Sequence, residues 1–410
     1  MYKGNFQSYQ HSPEDIFYGQ LAGCLEALAA GTTTVVDHAH MNYSPEHTMN
    51  AVSATVSSGI RSVFCYAPTP RIDSWNPLVF NNKLLEPWVM ETFERLAAQA
   101  PFGDAGQVTM GFAFDGWVLP KDVVVPLINR AKGAGVKTIT THAGRDALHG
   151  WTPLVDKLAD WEILDSTFLM SHSCGMDAEE AEVYKKFGVY NSSTPDTEMQ
   201  MAMGPPICFN DKLGMQRLSS LGIDCHSNNT ASIPAQMRLV LQSWRCLNDE
   251  EYRVKEKIPR DVYKTVEEAF NLGTIQGARA AKMEDKIGSI AVGKRADLVI
   301  FDAYSPAMTC AAQQDPVAAI VLHGSPGDIE SVLVDGRIVK QDGKLLPTVF
   351  DEAGQKVTGT SQMDWKAIAA EMIKRSAAMN RKIDMLEWED ADRVTQHRFG
   401  VAPGCIVTSL

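Results

Sequence analysis

The 410-residue chain has 45% hydrophobic and 21% charged residues, which is the composition of an ordinary globular protein. Its net charge of −12 argues against nucleic acid or an anionic membrane as a partner, because both attract basic surfaces. No apolar run approaches the ~20 residues of a membrane span, and the eight cysteines occur without CxxC pairs. These features favour reduced thiols, a cytoplasmic location and a small-molecule partner.

The first 246 residues alternate predicted helices with predicted strands. Ser12 followed by Pro13 predicts an N-cap and the first helical position, and that helix stops at Gly31. The β-branched run 32–37 then predicts a buried strand. Further strands are predicted at 61–66, 108–114, 137–142, 167–172, 188–191 and 221–224. This alternation is typical of parallel strands joined by right-handed crossovers.

The strand count is one short of a closed barrel. Seven strands are predicted, whereas a closed β/α barrel needs eight. The chain opens with a helix, so we expect the polypeptide to start after the first barrel strand, leaving two strand edges unpaired. Such edges predict low solubility or a homodimer that covers the gap.

Three of the predicted strands run into polar side chains of the kinds that bind metals. These are His142, His172 and Asp224. The C-terminal ends of barrel strands face one shared pocket, so the three side chains are expected to converge there. Two imidazoles and a carboxylate suit Zn²⁺ or Fe²⁺. The alternative for each is a strand end or core position whose side chain satisfies local backbone groups.

The regular alternation of predicted helices and strands ends after the barrel pattern. We predict the barrel over 1–285, a small β-sandwich module over 286–345, and a helical extension over 346–410. The module is predicted from a strand at 296–301 and from a hairpin around the Asp335-Gly336 turn.

Several stretches of the chain together resemble the metal-dependent amidohydrolase superfamily, in the branch of cytosine, guanine and adenosylhomocysteine deaminases and triazine chlorohydrolases. They are Gly31–Asp37 (GTTTVVD), the His142 and His172 strands, Gly222–Asp224 (GID), Gly277–Ala281 (GARAA) and Gly293–Val299 (GKRADLV). The resemblance implies a distorted TIM-type (β/α)8 barrel with a β-sandwich. It also implies one divalent metal, Zn or Fe, held by an HxH pair on strand one, a His on strand five and an Asp on strand eight.

The resemblance assigns roles to individual residues of this chain. His142 matches the strand-five metal ligand, and Asp224 matches the strand-eight Asp, which binds the metal and takes the proton of its water. His172 matches the strand-six His that polarises the substrate. The implied activity is hydrolysis of a non-peptide C–N bond, in an amide or a cyclic amidine, by metal-activated water.

Two departures from the family pattern affect this assignment. The strand-one HxH is missing; His38-Ala39-His40 has the right form but follows the second-strand pattern. His38 and His40 are therefore either additional metal ligands or polar groups on the rim. Arg145 stands where the related deaminases carry a proton-shuttling Glu, and a permanent cation cannot shuttle protons. We expect Arg145 to bind an anionic or carbonyl-bearing substrate.

His226, two residues beyond Asp224, is a further substrate-binding candidate, and its alternative is a loop cap. Two other functions stay open for the whole chain. One is a truncated, catalytically impaired binding protein. The other is a metal-independent lyase or isomerase that uses His172 and Asp224 for acid/base chemistry.

Overall fold

The structure is a computed structural model, and it describes residues 8–81, 83–145 and 152–398. The strands, in chain order, are β1 Thr34–Ala39, β2 Arg61–Tyr66, β3 Arg71–Trp75, β4 Leu78–Asn81, β5 Val108–Ala113, β6 Ile139–Gly144, β7 Phe168–Cys174, β8 Tyr190–Ser193, β9 Ser219–Leu221, β10 Leu298–Phe301, β11 Ile329–Val334, β12 Arg337–Gln341, β13 Lys344–Leu345, β14 Thr348–Val349 and β15 Gln362–Met363.

The helices alternate with the strands through the first part of the chain. They are α1 Pro13–Ala29, α2 Pro45–Ser58, α3 Pro87–Gln99, α4 Lys121–Gly133, α5 Leu154–Asp160, α6 Ala178–Phe187, α7 Pro195–Gln200, α8 Ile233–Arg253, α9 Val266–Leu272, α10 Ile275–Ala280, α11 Thr309–Gln314, α12 Pro316–Ala318, α13 Glu352–Thr358, α14 Trp365–Ile383 and α15 Trp388–Arg398. Short 3-10 turns lie at Ile207–Phe209, Gln216–Leu218 and Pro326–Asp328, and a π-helical turn lies at Ala319–His323.

Seven parallel strands of the described residues form one curled half-barrel sheet in the order β1-β2-β5-β6-β7-β8-β9. The predicted α/β class and the predicted seven strands are confirmed. β1 and β9 are the two edges of this sheet. Helix α1 lies beside the β1 edge, where the Glu26 carboxylate accepts a hydrogen bond from Ala231 N at 3.2 Å. Contacts of this kind connect α1 to the chain that follows β9.

Local signals explain where the first helix begins. The Ser12 hydroxyl accepts a hydrogen bond from Asp15 N, and the Asp15 carboxylate accepts one from Ser12 N, so the two residues form a capping box. The predicted N-cap at Ser12 is therefore confirmed. The core lies between the sheet and its helices, where the β5 ring of Phe112 packs against the α3 ring of Phe93 at a centroid distance of 5.0 Å.

The last barrel strand differs from its prediction. We predicted it over 221–224, but β9 spans Ser219–Leu221 and the backbone of Asp224 is left-handed, with φ 58°. A residue in that conformation cannot continue a strand. Ser219 and Ser220 are polar but buried, and the Ser220 hydroxyl donates to Asn191 O at 3.1 Å. A strand filled by hydrogen-bonded serines carries little hydrophobic signal, so the pattern placed it too late.

The β3–β4 hairpin was not predicted from the sequence. It forms an apolar cluster with α15, in which Leu78 and Phe80 pack with Trp388 and Ala391. The segment from residue 346 also contains the two-stranded sheet β14–β15 besides its three helices. Among the helices of the described chain, none has both the length and the apolar character needed to cross a membrane.

The small sheet β10-β11-β12-β13 is attached to the barrel by a buried ion pair. Arg61 at the start of β2 donates to both carboxylate oxygens of Asp297, at 2.6 and 2.8 Å. The side chains are only 6% and 4% exposed. Asp297 also accepts from Asp335 N at 2.8 Å, so the barrel and the turn between β11 and β12 share this carboxylate. Such a pair is costly to break, because removing one partner leaves a buried charge uncompensated.

We predict that Asp297→Asn lowers the free energy of unfolding by about 3–5 kcal/mol, because the buried Arg61 then keeps only its longer contact to Asp335, at 3.7 Å, as a countercharge. The matched control is Glu94→Gln, which removes the carboxylate of the more exposed Glu94–Arg130 pair. That change should cost less than about 1 kcal/mol. Urea unfolding followed by circular dichroism measures both values, and equal losses would contradict the special role of Asp297.

Candidate metal centre and active site

Four imidazoles gather at the C-terminal ends of three strands. Side chains alternate along a strand, so His38 on β1 and His40 just beyond it lie on one side, with ring centroids 4.5 Å apart. The His142 ring on β6 lies 4.6 Å from that of His38 and 5.5 Å from that of His40. The His172 ring on β7 lies 5.6 Å from that of His142. Residues spread over 134 positions of sequence therefore meet at one rim.

Among the residues that the structure describes, two groups of side chains have the spacing needed to hold a metal ion. The first consists of His38, His40 and His142, and the second of His142, His172 and Asp224. Within each group the ligand atoms lie within 4.8 Å of one another. His142 belongs to both groups. The structure thus brings together the three predicted strand-end residues and places the HAH pair beside them.

Asp115 is a site residue that the sequence analysis missed. Its carboxylate accepts hydrogen bonds from His142 N and from the Thr141 hydroxyl, each at 2.9 Å, and its Oδ2 lies 2.9 Å from His142 Nδ1. The same Oδ2 lies 3.2 Å from His38 Nε2. Asp115 follows β5 almost directly, so the strand-end rule that singled out His142 could have found it.

Burial and neighbouring charges shift the pKa values of Asp115, His142 and His40. Burial by itself would raise the pKa of Asp115, but the His142 and His38 charges, together with the hydrogen bond to His142, outweigh it, and its pKa lies well below the usual value. Burial would lower the pKa of His142, but the Asp115 charge and hydrogen bond raise it to about 9. Loss of water around the ring, and then the His38 and His142 charges, lower the pKa of His40 to about 3, although part of its ring borders the cavity. His40 is therefore neutral at pH 7 and has a lone pair to offer.

The residues present fit a divalent metal ion. A metal-binding His usually donates its second ring N–H to a carboxylate, and the Asp115–His142 contact at Nδ1 has this form, which leaves Nε2 of His142 as the nitrogen that could face an ion. Both ring nitrogens of His38 are buried without a hydrogen-bond partner among the described residues, and Nε2 has only the ion-pair contact to Asp115. With a pKa of about 9, His142 is protonated at pH 7, so a bound ion would have to displace its Nε2 proton. The neutral imidazoles that result, with an aspartate, are the donor set that Zn²⁺ or Fe²⁺ prefers.

His172 is buried beside a carboxylate that the sequence analysis also missed. Its Nδ1 lies 2.9 Å from the Thr194 hydroxyl and 3.5 Å from Oε1 of Glu198. Glu198 lies on α7 and is fully buried. No strand ends at Glu198, so the strand-end rule could not have pointed to it.

Arg145 and His226, the predicted substrate-binding residues, lie differently. Arg145 contacts Asp177 at 2.7 Å and Glu180 at 3.1 Å, and it is not among the described residues that line the cavity. Its substrate-binding role stays a prediction that this arrangement does not support. His226 lines the cavity, where its Nδ1 lies 3.0 Å from the Glu26 carboxylate of α1. Asp146, next to Arg145, is outside the described residues.

A cavity of about 3180 Å³ opens over the strand ends and reaches the facing edges β1 and β9. Its walls near the imidazoles combine aromatic and flexible apolar side chains. They include Trp117, Met201 and Met203. The Trp117 indole donates to the Thr141 hydroxyl at 2.7 Å, so this ring is anchored to the same strand end as His142. Such walls suit a planar, partly apolar small molecule.

Comparison with known proteins places this geometry in a family. Residues 4–339 match the amidohydrolase family, and the chain belongs to that family. It is 24% identical over 349 residues to a 5-methylthioadenosine/S-adenosylhomocysteine deaminase of Syntrophobacter fumaroxidans, covering 83% of this chain and 74% of the relative. It is 27% identical over 368 residues to a 5′-deoxyadenosine deaminase of Methanosarcina mazei, covering 86% and 76%.

Solved structures share the fold. An adenosine deaminase from Xanthomonas campestris with bound zinc aligns with a TM-score of 0.69 and 17% identity, covering 90% of this chain and 76% of the other. Atrazine chlorohydrolase from Arthrobacter aurescens, also with zinc, aligns with a TM-score of 0.68 and 19% identity, covering 90% and 79%. The family resemblance and the distorted TIM-type barrel expected from the sequence are confirmed.

We predict that Asp115→Asn weakens metal binding about 10- to 100-fold, because the amide loses the charge that orients His142. The control is Asp122→Asn, which changes an exposed aspartate on α4. Zinc affinity is measured by competition with a chromophoric chelator. Equal affinity in the wild type and Asp115→Asn would contradict the assignment of Asp115.

Proposed function

We propose that this protein is a metal-dependent hydrolase that cleaves a C–N bond in a small-molecule amide or cyclic amidine. The observation that carries the proposal is the position of His142. It belongs to both ligand groups, and Asp115 holds its Nδ1 so that Nε2 is assigned to an ion. Family membership supports the reaction class, since the relatives named above are deaminases of adenosine-type compounds.

In this proposal the metal would be held by His142 and Asp224, and His38 and His40, which form the other ligand group around His142, would be the further candidate ligands. A bound divalent ion supplies a water whose pKa is lowered to ~7. Asp224, whose carboxylate lies within 4.8 Å of the His142 and His172 ligand atoms, would accept the proton that such a water gives up. His172 lies within the same distance of Asp224 and, once it has taken up a proton at Nε2, would stabilise the negative charge that develops on the attacked group.

The cavity supports a planar substrate of moderate size. Trp117 is only 8% exposed and is held by Thr141, so it offers a fixed aromatic surface beside the imidazoles. Met201 and Met203 line the same cavity and can adapt to different outlines. Arg145 does not reach this space, so we do not assign the substrate an anionic group on its account.

The test is turnover of 5′-methylthioadenosine, S-adenosylhomocysteine and 5′-deoxyadenosine, each followed by ammonia release. We expect activity that a chelator abolishes and that added Zn²⁺ restores. Asp224→Asn should lower kcat at least about 100-fold, because proton transfer from water is lost. Asp104→Asn, a change in an exposed loop, is the matched control.

The remaining outcomes identify the two alternatives. Activity that survives complete metal removal would replace the proposal with a metal-independent lyase or isomerase. A metal-loaded protein that turns over none of these compounds, nor other amides and cyclic amidines, would indicate a binding protein.

We also propose self-association into a homodimer, because β1 and β9 are edges of the described sheet and face the open cavity. Sedimentation velocity should give about twice the 45.0 kDa of one chain. A monomer across a wide range of concentrations would contradict this.

A further inference from the structure

The buried group that stands out beyond the metal cluster is the carboxylate of Glu198. The residue is 0% exposed, and its Oε2 has no hydrogen-bond partner among the described residues. Burial raises its pKa, and the hydrogen bond with His172 opposes this rise. A buried carboxylate with an unsatisfied oxygen costs stability, so its presence calls for a functional reason.

The other oxygen of Glu198 is firmly held. Oε1 accepts a hydrogen bond from Thr194 N at 2.7 Å and a longer one from the Thr194 hydroxyl at 3.5 Å. The same Thr194 hydroxyl lies 2.9 Å from His172 Nδ1. A hydroxyl has one proton and two lone pairs. If the Thr194 hydroxyl donates its proton to Glu198, its oxygen can only accept a hydrogen bond from His172. The proton of that hydrogen bond then lies on Nδ1 of His172.

The backbone of His172 is shaped for this contact. His172 and Ser173 have φ values of 73° and 54°, in the left-handed region that non-glycine residues seldom adopt. Two such residues in succession store strain, which persists only where the surroundings over-determine it. The Ser173 hydroxyl lies 2.8 Å from the buried Tyr184 hydroxyl, which anchors the turn. The His172 ring is thereby directed at Thr194 with one nitrogen, and Nε2 lies on the side away from Thr194.

We propose that Glu198, acting through the Thr194 hydroxyl, is a positioning residue that keeps a proton on Nδ1 of His172. This inference rests on the proposed hydrolase function. With Nδ1 protonated, neutral His172 presents an Nε2 lone pair on the cavity side. Nε2 can then take a proton from a water or substrate N–H or O–H, and the electron pair of that bond stays on the oxygen or nitrogen. The Glu198 carboxylate stabilises the imidazolium that results.

Glu198 is a buried carboxylate behind the cavity wall, at a position different from that of the proton-shuttling Glu expected in the related deaminases. The related deaminases were expected to carry a proton-shuttling Glu at the position of Arg145, which here pairs with Asp177 and Glu180. Glu198 reaches the cavity only through Thr194 and His172, since Thr194 and His172 line the cavity and Glu198 does not. Its effect is on the proton of His172 and not on the substrate directly.

The test compares ¹⁵N spectra of histidine-labelled zinc-loaded protein, with His172→Gln used to assign the His172 signals. In the wild type we expect His172 Nδ1 to carry a proton. In Glu198→Gln, which keeps the shape and removes the charge, we expect a rise in the fraction with unprotonated Nδ1, because the Thr194 proton can turn towards the ring. Glu198→Ala should shift the same signals further.

The matched control is Glu268→Gln. Glu268 accepts from Thr265 N at 2.8 Å, as Glu198 accepts from Thr194 N, but neither Glu268 nor Thr265 lines the cavity. Glu268→Gln should leave the His172 signals unchanged. For any substrate found in the turnover screen, Glu198→Gln should lower kcat about 10-fold or more while KM changes little.

An unprotonated Nδ1 on His172 in the wild type would overturn the proposal without any variant. It would also be overturned if Glu198→Gln and Glu198→Ala fold but leave the His172 signals unchanged. The spectra need no turnover, so a failed substrate screen with the expected spectra would count against the hydrolase function and not against the role of Glu198.

Discussion

The arrangement of the site depends on one carboxylate, that of Asp115 at the end of β5. It binds the backbone and ring of His142 and lies 3.2 Å from His38, so it connects side chains of β6 and β1 with the end of β5, across the intervening β2. Without its charge, the closely packed imidazoles would lack a group that fixes their orientation and protonation. The same hydrogen bond engages Nδ1 of His142, so Nε2 is the ring nitrogen that the proposed metal would use.

At the opposite end of the strands, the ion pair of Asp297 and Arg61 connects neighbouring elements, as Asp115 does at the rim. Asp297 binds Arg61 at the start of β2 and lies 3.4 Å from the Thr34 hydroxyl at the start of β1. Asp297 belongs to the GKRADLV segment, and its contacts give a physical reason why this segment helps to identify the family. The segment supplies the buried anion that connects the small sheet to the first two strands of the half-barrel, and these strands carry His38 towards the rim.

Left-handed backbone occurs at two of the polar residues that line the cavity, His172 and Asp224. His172, Ser173 and Asp224 have positive φ values, although none is glycine. A strand that simply continued would direct the next side chain to the other face of the sheet. The left-handed turns instead redirect the chain at the rim, and buried hydrogen bonds such as that from Thr194 to Glu198 compensate part of the cost.

The sequence by itself determined the α/β alternation, the number of parallel strands and the convergence of His142, His172 and Asp224, although it placed the last strand at 221–224 and the structure has it at Ser219–Leu221. Helix caps and β-branched runs are local, and the convergence of strand ends follows from barrel topology alone. Only the tertiary structure decided which carboxylates support those residues. Asp115 and Glu198 become partners of imidazoles through contacts across 27 and 26 positions of sequence, to His142 and to His172. Arg145 was predicted to bind the substrate, but it pairs with Asp177 and Glu180. Local sequence patterns could not identify these two acids as its partners.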